Sequence, residues 1–210
     1  TWFFGFAGPR NTTSLLGMIE TYPLRWSGEW NESADSEFAI RKENFGTGLI
    51  QGEMNCDLSP PNCSRQAPNQ GRSLDLDALS LFIDSLRVPP SPAHARGEPL
   101  NDFERRGQAI FARAELGCIG CHPPPLYTDL LRHDVGTATP DERIGPAYDT
   151  PTLRGLYNSA PFFHDGSAAT LRDTLIRATA RREHDVRGRL SEQEIADLIA
   201  FMLALPFDVR

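Results

Sequence analysis

Residues 114–129 read AELGCIGCHPPPLYTD, and the six at their centre, Gly117-Cys118-Ile119-Gly120-Cys121-His122, decide how the whole chain is read. Two cysteines three apart, followed at once by a histidine, can hold a zinc ion, close a disulfide or carry a haem. Zinc needs two further ligands, usually a second Cys-x-x-Cys or a His pair at short spacing, and neither occurs. A thioredoxin-type redox pair wants a strand before it and a helix after it. Here a helical pattern precedes, and Pro123-Pro124-Pro125 follows. Covalent haem fits the spacing. Each thiol adds to one vinyl group, two intervening residues let one tight turn reach both, and the adjacent histidine falls under the iron. Cys118 and Cys121 are therefore read as the attachment points of a haem c, and His122 as its proximal ligand.

Attachment of this kind takes place outside the cytoplasm, so the expected location is periplasmic or otherwise extracytoplasmic. In an oxidising compartment the other two cysteines, Cys56 and Cys63, are expected to close a short disulfide loop; the alternative is a pair of free buried thiols. The chain has 210 residues, 40% of them hydrophobic and 23% charged, as in ordinary globular proteins. Its net charge of −7 argues against a nucleic-acid partner and suits a basic redox protein. No apolar run approaches the ~20 residues that span a membrane. The opening stretch TWFFGFAGPRNTTSLLG has no basic leader and no long apolar core, so it does not read as a signal peptide.

Two helices frame the motif. The first, NDFERRGQAIFARAELG, has Asn101 as N-cap and Glu104 three residues on. Phe103, Ala109, Ile110 and Ala114 recur near helical spacing, Phe111 widens the stripe, and Gly117 is expected to end the helix. Gly107 sits mid-helix at a cost of ~1 kcal/mol against alanine, which close approach of another helix would explain. The partner expected there is the last helix, LSEQEIADLIAFMLALP, with a Ser191/Glu194 capping box, a stop at Pro206, and Phe201 against the Gly107 notch. A third, shorter helix is expected from about Ala169, capped by Ser167 or Thr170.

A half-hidden repeat changes the organisation. At an offset of 138, Thr12 meets Thr150, Leu15 meets Leu153, Gly17 meets Gly155, Pro23 meets Pro161 and Gly28 meets Gly166. At an offset of 119, Leu79 meets Leu198, Phe82 meets Phe201 and Leu86 meets Leu205. The difference between the offsets is an insertion in the first copy, around Cys56 and Cys63. The fold expected is mainly α: a complete cytochrome c-like helical domain over residues 99–210, with covalently bound haem. Before it, residues 1–88 are read as the C-terminal part of a similar first domain, without a haem motif of its own. Residues 89–98 are read as an extended, proline-rich linker. The missing front helix and motif would lie upstream of Thr1, with a second haem there; the alternative is a duplicate that lost its haem.

The stretches FERRGQAIF…GCIGCHPPP, YDTPTLRGLYNSAPFFHDGSAATLRD and LSEQEIADLIAFMLAL resemble the bacterial di-haem cytochrome c peroxidases and their MauG-like relatives. The resemblance is close over the second half. It is weaker in the first, where LRWSGEW replaces the usual His-Asp-Gly turn. It implies a periplasmic protein with two c-type haems about a domain interface, one taking electrons and the other reducing hydrogen peroxide. The family would place a methionine ligand near Ala178, and none stands there. The candidates for the sixth iron position are His133, His164, His184 and Met202, with His184 favoured because its loop precedes the last helix; an open position is the remaining option. His164, in FFHDG, reads as a residue bonding backbone or a propionate, and His133 as a supporting residue. His94 falls in the linker, where it is expected to be solvated. Arg154 is a candidate for a haem propionate, since a guanidinium fork matches a carboxylate, and Phe111 for the haem wall. Two functions follow. The first is electron transfer to a redox partner protein or a neighbouring haem domain. The second is reduction of hydrogen peroxide, which needs a releasable iron position and an acid–base residue that the sequence does not identify.

Overall fold

The computed structural model describes residues 2–4, 7–58, 61–63, 66–177, 181 and 183–207. Its architecture is mainly helical, with three two-stranded ribbons: β1 (Trp2–Phe4) with β2 (Gly8–Arg10), β3 (Asp57–Leu58) with β4 (Pro61–Asn62), and β5 (Arg132–His133) with β6 (Tyr148–Asp149). The helices are α1 (Ser36–Phe38, running into a π-turn over Ala39–Glu43), α2 (Leu74–Ser85), α3 (Asp102–Phe111), α4 (Cys118–Cys121), α5 (Leu171–Ile176) and α6 (Glu192–Ala204).

The capping residues act as their spacing predicts. Asn101 Oδ1 accepts from the backbone N–H of Phe103 and Glu104, and Glu104 Oε2 accepts from the Asn101 N–H at 2.7 Å. Thr170 with Asp173, and Ser191 with Glu194, form the same reciprocal pair at the starts of α5 and α6. The chain then leaves α6 through Leu205 into Pro206, which cannot continue a helix.

The structure corrects the reading of α3 in two ways. Its last helical residue is Phe111, well short of Gly117. Two tight turns follow, Arg113 N–H to Ile110 C=O and Leu116 N–H to Arg113 C=O. They fold Leu116 back into the core, and Gly117 at φ +76° starts the separate short helix α4. The buried face is Glu104, Gly107, Ile110 and Phe111 rather than one containing Phe103, Ala109 and Ala114, which are exposed. The reason is Gly107. A Cβ there would overlap the Asp197 carbonyl and meet Phe201 Cβ at 2.8 Å, so α6 docks over that bare Cα and selects the face centred on it. Arg106 reaches across to chelate the Asp197 carboxylate, with Nε–H donating at 2.6 Å. Ile110, Phe111, Ile195, Leu198, Phe201 and Leu205 fill the crossing.

The linker region is less extended than its prolines imply. Pro92–His94 form a 3₁₀ turn, and the Ser91 N–H donates to the Pro206 carbonyl. His94, expected in solvent, is 3% exposed. Its ring nitrogens lie 2.8 Å from the Glu98 carbonyl and 3.2 Å from Glu104 Oε1. The carboxylate that caps α3 thereby also anchors the segment entering it.

In the first half, Leu24, Trp30, Phe38 and Cys63 pack together, and Cys56 and Cys63 are joined in a disulfide. The two segments related by the 138-residue offset share backbone detail. Gly17 and Gly155 both lie at positive φ and start 3₁₀ turns, Met18–Glu20 and Leu156–Asn158. Arg25 and Phe163 lie at φ +72° and +67°. The isolated bridges Leu24–Trp30 and Phe162–Ala168 correspond. Gly17 N–H donates to Leu86 C=O past the end of α2, as Gly155 N–H donates to Leu205 C=O past the end of α6. Val88, 4% exposed, lies between these glycines: a Cβ on either would meet one of its two methyl groups.

Gly107→Ala is expected to destabilise the protein by about 3 kcal/mol or more, because the methyl group must push two packed backbones apart. Urea denaturation followed by circular dichroism measures it; a midpoint within error of the unaltered protein would show that the crossing tolerates a wider separation.

Candidate functional site

Helix α4 presents the motif to a cavity of about 590 Å³ between the two halves, within the size range of small-molecule and cofactor sites. Cys118, Cys121 and His122 line it, as do Phe111, Leu198, Met202, Arg154, His164 and His184. Both thiols are free and half-buried, and burial raises the pKa of each.

His122 Nδ1 lies 2.9 Å from the Tyr127 carbonyl. A carbonyl can only accept, so Nδ1 carries the proton and Nε2 keeps its lone pair. Burial pushes the imidazole pKa down, which keeps the ring neutral. The loop that supplies the carbonyl is held in turn. Tyr127 N–H donates to Pro123 C=O, Asp129 N–H to Cys121 C=O, and Thr128 Oγ1–H to Thr150 C=O at 2.6 Å. Tyr127 itself sits at φ +55° and stacks edge-on against Phe111 with ring centroids 5.9 Å apart.

His184 lies in the loop between α5 and α6, which is tied down by Val186 N–H donating to Leu175 C=O. Its Nδ1 is buried without a partner. Its pKa falls to about 4, through burial first and the neighbouring His122 second. His122 and His184 thus line the cavity together with the two thiols, near enough that a charge on one ring would disfavour a charge on the other. Met202 also borders it but is 6% exposed and packed into the α3–α6 core. His133 is held at the edge by Asp129, 2.7 Å away. Ala178 lies outside the described residues. The ligating atoms of Cys121, Asp129 and His133 lie within 4.8 Å of one another, but a metal ion there would compete with the Asp129–His133 bond and leave Cys118 and His122 idle.

His164 is 1% exposed, and its ring stacks on Tyr148 at 3.9 Å. Tyr148 Oη lies 3.0 Å from His164 Nε2 and donates to Glu142 Oε2 at 2.8 Å. Glu142 receives both Nη1–H and Nη2–H of Arg10, at 2.7 and 2.8 Å. This buried Arg10–Glu142–Tyr148–His164 chain joins β2 to the wall of the cavity. Sequence reasoning found His164 but not the other three. Arg10 and Glu142 are 132 positions apart, and nothing local marks Glu142 as buried. Burial alone would raise the Glu142 pKa; the hydrogen bonds from Arg10 and Tyr148 outweigh it and hold the carboxyl below its ordinary value. Asp149, beside this chain, is pushed up to about 7 by burial and by Asp129. Arg154 pairs with Glu20 at 2.8 Å, linking the two halves at the cavity rim.

No protein-family model matches the chain. In sequence it is similar to hydrazine synthase subunit gamma of Kuenenia stuttgartiensis, 31% identical over 173 residues, covering 62% of this chain and 48% of that protein. It is 29% identical over 230 aligned residues to cytochrome c551 peroxidase of Nitrosomonas europaea, covering 96% of this chain and 66% of that protein. It is 28% identical over 127 residues to MauG of Methylophilus methylotrophus, covering 51% of this chain and 38% of that protein. The chain therefore spans between 38% and 66% of the length of these relatives. Its fold matches the solved hydrazine synthase of K. stuttgartiensis with a TM-score of 0.72 at 25% identity, over 97% of this chain and 76% of that one.

Glu142→Gln is expected to cost about 3 kcal/mol at neutral pH, because Arg10 is left buried without its carboxylate. In the unaltered protein this group's contribution is present at pH above 4.5 and lost as pH falls below it, the sign for a depressed carboxyl. Denaturation midpoints from pH 7 downward test both; a variant with an unchanged midpoint and acid profile would remove the pair from any structural role.

Proposed function

We propose that the chain is a haem-bearing oxidoreductase working in electron transfer, because it resembles cytochrome c551 peroxidase and MauG in sequence and hydrazine synthase in fold. Cys118 and Cys121 would hold one haem c through thioethers, and His122 and His184 would ligate its iron. The observation that carries this reading is the placement of His122: its Nδ1–H is committed to the Tyr127 carbonyl, and the ring lines the same cavity as both thiols. A haem held here supplies one-electron redox chemistry, at a potential set by its ligands and burial.

The chain's own residues provide the rest. Tyr127 fixes the plane of the His122 ring, and burial keeps His122 and His184 unprotonated, the form that ligates. Phe111, Leu198 and Met202 exclude water from one wall. Arg154 faces the cavity as a partner for a carboxylate, at the cost of sharing Glu20. A site closed by two imidazoles passes electrons without admitting substrate, so the partner is a redox protein or a neighbouring haem domain. Residues 1–88 are proposed as the back of a first cytochrome-like domain, residues 89–98 as the connection and residues 99–210 as the complete one; the shared turns at the 138-residue offset support this. The Cys56–Cys63 disulfide supports an extracytoplasmic location. Among the described residues, no helix is long and apolar enough to cross a membrane.

A second reading, reduction of hydrogen peroxide, is favoured by the similarity to a cytochrome c551 peroxidase over 96% of this chain. It requires the His184 position to open.

Acid–acetone extraction of the purified holoprotein is expected to leave the colour on the polypeptide, and extraction of the pigment would refute thioether attachment. His184→Ala is expected to convert the iron to a high-spin form that binds carbon monoxide; an unchanged low-spin spectrum would exclude His184 as a ligand. Steady-state turnover with peroxide and a reduced donor separates the two functions, and rapid turnover by the unaltered protein would favour the second.

A further inference from the structure

Two carboxyls between the halves have no part in the reading above, and each keeps one oxygen buried without a hydrogen-bond partner among the described residues: Asp149 Oδ1 and Glu29 Oε2. Asp149 stands in β6 and lines the main cavity, and its backbone N–H donates to the Trp26 carbonyl of the first half at 2.8 Å. Glu29 is 7% exposed. It lines a smaller chamber of about 150 Å³ that shares Arg25 and Trp26 with the main cavity.

The charged groups around the two carboxyls are engaged elsewhere. Arg132 stands opposite Asp149 in the β5–β6 ribbon, but its guanidinium donates to the Ala147 carbonyl. Arg25 and Arg10 are the cations near Glu29, and they pair with Glu43 at 2.6 Å and with Glu142 at 2.7 Å. Asp129, in the loop after α4, accepts from the Leu131 N–H at 3.0 Å and lies 2.7 Å from His133 Nε2. Its charge and that of Glu29 both act on Asp149, after burial itself. A carboxylate in such a place lacks compensation, and a proton neutralises it without moving any side chain.

We infer that Asp149 is the proton acceptor of the haem cavity, with Glu29 as the neighbour that strengthens its hold on the proton. One electron enters from a redox protein, the iron passes from ferric to ferrous, and the cavity gains one negative charge. One proton from bulk water bonds to Asp149 Oδ1 and restores the balance; no other bond forms or breaks. The two charges attract strongly in a low-dielectric site, so electron and proton favour each other's arrival by the same free energy. The inference rests on the haem reading proposed above and adds to it the group that carries the accompanying proton.

The test is a spectroelectrochemical titration of the holoprotein from acid to alkaline pH. Below about pH 7 Asp149 already holds its proton in the oxidised protein, so reduction takes up none and the midpoint potential is expected to be flat. Above it the potential is expected to fall by up to about 59 mV per pH unit, the tenfold change of a one-electron couple. Asp149→Asn is expected to make the potential independent of pH across that range. Glu29→Gln removes a negative neighbour and is expected to move the onset of the slope to lower pH. A flat potential in the unaltered protein overturns the inference, and so does a slope that survives Asp149→Asn, which would belong to a haem propionate. An onset unmoved by Glu29→Gln removes Glu29 from the site. Where Asp149→Asn does not fold, the reduced-minus-oxidised infrared spectrum of the unaltered protein decides. A protonated-carboxyl band is expected to appear on reduction and to shift when aspartate is labelled with a heavy carbon isotope in its side-chain carboxyl. A band that does not shift, or no band, overturns the inference; a purely structural Asp149 would move neither readout. Haem content, read by absorbance beforehand, separates the two readings. A polypeptide that carries haem at a pH-independent potential loses only the proton site, and one without haem loses the functional reading.

Discussion

The approach of α3 and α6 over the bare Cα of Gly107 is the constraint from which the second half follows. Two helices meeting at that separation bring Ile110, Phe111, Leu198 and Phe201 into one packed layer. The layer's far side becomes a wall of the cavity, because Phe111, Leu198 and Met202 belong to both. The Arg106–Asp197 pair closes the crossing at its solvent edge. Partly exposed, it contributes little on its own, and its role is to set the register in which Phe201 finds the notch. The turns after α3 then swing α4 beneath the wall, so the helix crossing and the two thiols are parts of one arrangement.

A second constraint joins the halves. The Arg10–Glu142 pair is buried, and such a pair is retained only where its hydrogen bonds are complete. Glu142 meets that condition by taking Tyr148 as well. Asn11 adds a backbone bond to His164 C=O, and the Trp26 indole N–H donates to Asn11 C=O. The cavity wall around His164 is consequently built by residues from the first 30 positions as much as by its own neighbours.

Much of this was legible in the sequence. The capping boxes of α3 and α6 and the Gly107 crossing could be read because caps and helix notches are local or depend on one residue type. The disulfide could be read from the compartment implied by Cys118 and Cys121. What could not be read was set by distant partners. His94 reads as solvated because its neighbours are prolines and small residues, yet Glu104, ten residues on, draws it inside. Phe103 fits the helical period as well as Glu104 does, and only the position of α6 decides between them. The motif identified three members of the candidate site at once, whereas Glu142 and Tyr148 have no signature shorter than the fold.

Val88 has a consequence of its own. Its two methyl groups are divided between Gly17 and Gly155, one each. A single side chain therefore serves as a common bearing for both turns, and neither turn can shift without displacing the other. A disturbance that begins beside Leu86, in the half without a haem motif, has a mechanical route of one residue's width to Leu205 and the end of α6, which forms the wall behind the histidines.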